Sequence, residues 1–161
     1  MEPLTVLVID YDSSHDWYAA FRGKRVNGRP VKVDQCGWAD LSVSAAYDRC
    51  VCDISPSEDP IFGSPQKDAR QVVPDLVVVR NVARGVHNQD YRNILFGFAY
   101  GGVPCLNSAA SLLMCQERAV VYGELNRLRR QLGDEAFPFV DAVYHANLGE
   151  GMSISPTAPP L

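Results

Sequence analysis

The sequence holds no run of about 18 apolar residues, so nothing in it reads as a membrane span. Positive charge is also short. Fifteen Lys and Arg stand against nineteen Asp and Glu, a net charge of −4, which removes any whole-domain electrostatic case for nucleic acid. No lysine follows Lys67. The N-terminus runs directly into an apolar stretch without a basic n-region or cleavable h-region, so a cytosolic location is the expectation. Motifs of metal and nucleophile chemistry are missing too. His15, His87 and His145 stand far apart, with no HxH or HExxH setting. Ser13 and Ser14 have no GxSxG elbow, and no GxxxxGK[ST] loop occurs. The five cysteines, Cys36, Cys50, Cys52, Cys105 and Cys115, are odd in number and form no CxxC. Cys50-x-Cys52 stands without further ligand spacing, so reduced structural thiols are expected. From the residues, no catalytic, cofactor-binding or metal-binding site is assigned.

What is present is an ordinary globular chain. It has 161 residues, 47% hydrophobic and 21% charged, enough for one domain with a real core. Its organising stretch is residues 74–108. Leu76–Val79 is a continuous apolar run, residues 91–100 read as a helix, Gly101-Gly102 stops it, and residues 103–106 form a second apolar run before Asn107-Ser108. Strand, crossover helix, strand is the simplest parse, and an unbroken apolar strand points to a parallel sheet covered on both faces. Leu4–Ile9 reads as the first strand and residues 15–22 as a helix ended by Gly23. Val31, Val33 and Gln35 alternate with polar neighbours as a half-buried strand, and residues 41–47 fit strand or helix equally. Residues 53–66 carry Pro56, Pro60, Pro65 and Gly63 and read as a loop throughout, with Ser55-Pro56 and Ser64-Pro65 as ordinary loop pairs. Residues 67–73 read as a short helix. Val121, Leu125, Leu128 and Leu132 stripe a long helix closed by Gly133. Arg127, Arg129 and Arg130 suit the end of its dipole. Residues 137–144 read as a last strand. The fold class is α/β, a mostly parallel sheet with helices on both faces.

Ligands of such sheets sit at the carboxyl ends of the strands. Here those ends supply Asp10, Asp12, Arg80, Asn81, Asn107 and Ser108. The acidic residues after strand one resemble a phospho-receiver domain, but Arg80 occupies the acceptor position. An arginine cannot take the phosphoryl group, so that reading fails. Its charge is expected instead to pair with Asp10, as a structural ion pair or as part of a polar cleft. Gly97, Gly101 and Gly102 lie in or after a helix, so they are turn residues and not a phosphate loop. Asn107-Ser108 is expected to cap the following helix.

Four blocks, at residues 6–28, 74–80, 90–108 and 125–141, together resemble the synapsin family, specifically the pre-ATP-grasp part of its central domain. The agreement in order and spacing runs from Leu4 to about Ser155. Glu117-Arg118-Ala119-Val120 stands where the family has Asp-Lys-Pro-Trp, so a weaker break between two helices is expected there. The resemblance implies a pre-ATP-grasp (Rossmann-like) domain over residues 1–146. Residues 147–161 then form a linker toward an ATP-grasp domain that this chain does not contain. It implies a non-catalytic, cytoplasmic protein at the cytosolic face of synaptic vesicles, regulating neurotransmitter release. It further implies homodimerisation and contact with vesicle membrane and actin. ATP with a divalent cation is expected only in a full-length family member, and none of those site residues falls in this chain. The leading domain of an ATP-grasp ligase, or an interaction module independent of nucleotide, are the alternatives.

Overall fold

The computed structural model describes residues 1–12, 14–56, 68–86 and 89–145. These fall in two compact units, residues 1–117 and residues 118–161. The expected linker at residues 147–161 lies outside the described residues.

In the first unit, β1 (Leu4–Ile9) occupies the centre of a five-stranded sheet. It pairs in parallel with β3 (Arg29–Cys36) on one side and β7 (Leu76–Val79) on the other. β10 (Cys105–Leu106) extends the sheet beyond β7, again in parallel, while β2 (Arg25–Val26) pairs antiparallel with β3 through the Asn27-Gly28 turn. The mostly parallel sheet expected from the sequence is the one observed.

β1 is apolar on both sides because both sides are covered. Val6 and Val8 point to one face with Val33, where α1 (Trp17–Phe21) lays Trp17, Tyr18 and Phe21 against them. Leu7 and Ile9 point to the other face, into a core with Val77, Leu95 and Phe98. Leu7, Val8 and Ile9 are wholly buried. Burial of one such side chain stabilises the fold by about 1.5–3 kcal/mol relative to leaving it in water.

The second face is covered by α2 (Arg92–Tyr100) and a separate antiparallel sheet of β4 (Leu41–Ala46), β5 (Arg49–Ile54) and β6 (Arg70–Val72). α2 approaches this sheet closely at Gly97. A Cβ there would lie 2.8 Å from Val43 Cγ1, so any side chain would force the helix off the sheet. Gly102, at φ +65°, takes the left-handed turn out of α2 that a side chain would resist. β8 (Arg84–Val86) and β9 (Gln89–Asp90) form a small hairpin before α2. α3 (Ala109–Cys115) follows β10 and is capped by Ser108, whose side chain accepts from Ser111 N at 3.2 Å.

The second unit holds α4 (Arg118–Leu132) and the chain that returns along it. Gly133, at φ +82°, reverses the direction, and Phe139 packs on Tyr122 with ring centroids 5.5 Å apart.

Several expectations need correction. Residues 67–73 do not form a helix: among the described residues, Arg70–Val72 is strand β6. Residues 53–66 are not loop throughout, since Asp53 and Ile54 belong to β5, while residues 57–66 lie outside the described residues. Residues 137–144 form no strand, because no neighbouring strand completes a ladder with them. β3 is not half-buried along its length; from Val33 to Cys36 every residue is buried, Asp34 and Gln35 included. The ambiguous stretch at 41–47 resolves as β4. The expected interruption before Arg118 is present: α3 and α4 are separate helices.

Candidate functional site

The order β10-β7-β1-β3-β2 places the first strand between strands that the chain visits later on opposite sides. The connection from β1 runs one way to β3 and eventually the other way to β7. Such a reversal leaves a crevice at the carboxyl end of the sheet, between the chains that leave β1 and β7. Asp10 follows β1 and Arg80 follows β7 at that point.

Asp10 is buried, and its backbone N–H donates to Cys36 O at 2.9 Å, continuing the ladder past the strand. A buried carboxylate needs donors, and the next seven residues provide three. Oδ2 accepts from Trp17 Nε1 and from His15 Nδ1, each at 2.9 Å, and Oδ1 accepts from Asp12 N at 3.1 Å. A carboxylate only accepts, so His15 carries its proton on Nδ1. His15 Nε2 lies 3.7 Å from Asp12 Oδ2, and the imidazole is thereby framed by two carboxylates. Asp12 Oδ1 accepts from both the hydroxyl and the backbone N–H of Ser14, and these bonds hold the Asp12 carboxyl below its ordinary range. Ser13 lies outside the described residues. Gln35, wholly buried, receives Trp17 N on Oε1 at 3.4 Å and donates its own N–H to the Tyr18 hydroxyl at 3.1 Å.

The expected Asp10–Arg80 ion pair is not formed. Trp17 takes both partners: its indole N–H bonds Asp10, and the Arg80 guanidinium lies over its ring, 5.7 Å from the centroid. The cleft survives without the pair. Ser14, His15, Asp16, Trp17, Ala20 and Arg80 line a recess of about 410 Å³. On the other side of Arg80 a second recess, of about 300 Å³, is bounded by Asn81, Asn107, Leu112 and Gln116. Asn81 also accepts Tyr11 N at 3.0 Å and so fixes the loop after β1. Of the six strand-end residues, Arg80 joins both recesses and Asn107 lines the second, while Ser108 is occupied in capping α3.

Sequence reasoning set aside His15 as isolated and placed Trp17 only on a helix face. The available signal was local: a histidine and a tryptophan within seven residues of an aspartate that ends a fully apolar strand. Gln35 and Asn81 had no comparable mark.

The remaining features carry structure. All five cysteines are free, and burial raises the thiols of Cys36 to about 12 and Cys105 to about 11. Burial also pushes Cys50 and Cys52 upward. Such thiols are poor nucleophiles. Among the described residues, no group of three or more His, Cys, Asp or Glu is arranged to hold a metal ion. No described helix is long and apolar enough to cross a membrane. His87 lies outside the described residues. Glu117 receives both Arg84 and Arg92, and Arg92 also grips Asp90, which ties the β8–β9 hairpin to the end of α3.

Comparison with known proteins adds to this geometry. A family model described as the synapsin pre-ATP-grasp domain matches residues 2–105. Among curated proteins the chain is similar to synapsin of Drosophila melanogaster, 33% identical over 144 residues. That match covers 89% of this chain and spans only 14% of the relative's length.

Proposed function

The chain belongs to the synapsin family, and from that premise we propose that it acts as the pre-ATP-grasp part of a synaptic-vesicle-associated regulator of neurotransmitter release, without catalysis of its own. The match of the family model over residues 2–105 carries this reading. In it, the chain works at the cytosolic face of the vesicle, as a homodimer, in contact with the vesicle membrane and actin. ATP with a divalent cation belongs to other parts of a full-length member.

Flotation of the full chain with purified synaptic vesicles tests the central claim. Recovery in the vesicle fraction is the expected result. Recovery only in the soluble fraction, at physiological salt and with saturating vesicles, overturns it. Sedimentation of the same preparation should give the dimer mass. Calorimetry with Mg-ATP should give no saturable heat, and a tight isotherm would refute the absence of a nucleotide site.

A further inference from the structure

The recess beside Trp17 has the makings of a ligand site that the vesicle role does not use. It lies at the reversal of strand order, where open α/β sheets leave a crevice between diverging connections. Its walls are held from behind, since the buried Asp10 fixes both the His15 ring and the Trp17 indole by hydrogen bonds. Its one permanent cation, Arg80, has no carboxylate partner among the described residues. The Arg80 guanidinium is exposed and steadied over the indole. A planar fork of donors held in place but unpaired is suited to an oxyanion, which it can bind through two parallel hydrogen bonds.

The neighbouring charges narrow the ligand. Asp16 lines the same recess, and one of its oxygens is committed to capping α1 through Ala19 N at 2.9 Å. Asp12 and Asp10 stand beside His15. One fixed cation among three carboxylates suits a single negative charge and opposes a second one. We propose that this recess binds the carboxylate of a small molecule, gripped by Arg80 against the Trp17 wall, in preference to a doubly charged phosphate or sulfate.

The chain has two tryptophans, and the other, Trp38, is buried and stacked on Tyr91. The two indole N–H resonances therefore give a site signal and an internal control. Acetate, benzoate and inorganic phosphate would be titrated at pH 7.5 and constant ionic strength into the full chain. The expected result is a saturable shift of the Trp17 indole with the carboxylates, a stationary Trp38 indole, and weaker binding of phosphate. Arg80→Gln should weaken the carboxylate about tenfold or more, the scale of a lost charged hydrogen-bond pair. Arg80→Lys, which keeps the charge and loses the fork, should fall between. Arg49→Gln, on the β4–β5 hairpin, should bind as the parent does and serves as the control for general charge loss. Absence of a saturable shift overturns the site. An affinity unchanged in Arg80→Gln, with the parent's Trp38 signal retained, removes Arg80 from it. Tighter binding of phosphate than of carboxylate overturns the ligand class.

Discussion

Two arginines hold carboxylates in different surroundings. Arg70 reaches from β6 to Asp34 on β3, with Nε 2.8 Å from Oδ1, and its second nitrogen donates to Gln35 O at 2.8 Å. The Asp34 side chain is 4% exposed. Arg127 on α4 grips Glu124 one turn away, with both side chains more than two-fifths exposed. The chemistry is the same and the consequences are not. Water screens the second pair, whereas removal of Arg70 leaves a carboxylate deep in the protein without its donor. The contrast extends to the two units as wholes. β1 buries four of its six residues, while α4 has no buried residue and leaves Val120, Tyr122 and Leu132 exposed. The first unit is held by exclusion of water; α4 is dressed with local charge pairs.

The largest test of that contrast is Arg70→Met, expected to cost about 3–5 kcal/mol in denaturant unfolding through the stranded Asp34. Arg127→Ala should leave the midpoint unchanged. Equal losses in the two variants would break the comparison.

Next comes the apolar core. Leu7→Ala should cost about 2–5 kcal/mol, and Leu132→Ala, at 56% exposure, should stay within about 0.5 kcal/mol. Both follow from urea melts.

A finer test uses one substitution with opposite signs. Gly97→Ala drives a Cβ to 2.8 Å from Val43 and should destabilise by about 1–3 kcal/mol. Gly123→Ala, inside α4 with nothing within 4 Å of the new Cβ, should stabilise that helix by up to about 1 kcal/mol. Helical content measured by circular dichroism should rise slightly in the second variant only.

The smallest effect is a titration. The Arg92 hydrogen bonds beside Asp90 lower its carboxyl from 3.8 to about 2. A depressed carboxyl stabilises the folded state fully above its unfolded value, so this contribution is complete above about 3.8 and is lost as pH falls through about 2. Carboxyl resonances should show Asp90 titrating near 2, and Arg92→Gln should return it toward the ordinary range.

The parts of the fold written in short-range patterns were legible. Leu4–Ile9 and Leu76–Val79 are unbroken apolar runs, and the same positions form β1 and β7. Ser108 and Gly133 mark their helix ends as their chemistry requires. What was not legible depends on distant partners. Arg70–Val72 is a strand because β5 lies beside it and Asp34 awaits its arginine, facts recorded some tens of residues away. Residues 137–144 have strand-like composition without a strand to join. The site was half visible. The carboxyl ends of the strands named Asp10 and Arg80, but pairing opposite charges by proximity overlooked an indole able to satisfy both.

The outer strands of the large sheet, β2 and β10, are each two residues long. A sheet recruits another chain by offering a row of free backbone donors and acceptors along its border. Two-residue borders offer almost none, so the sheet cannot act as a template for strand-by-strand growth. The brevity of β10, which looks like an incomplete strand, thus protects the long apolar strands behind it from self-association into fibrils.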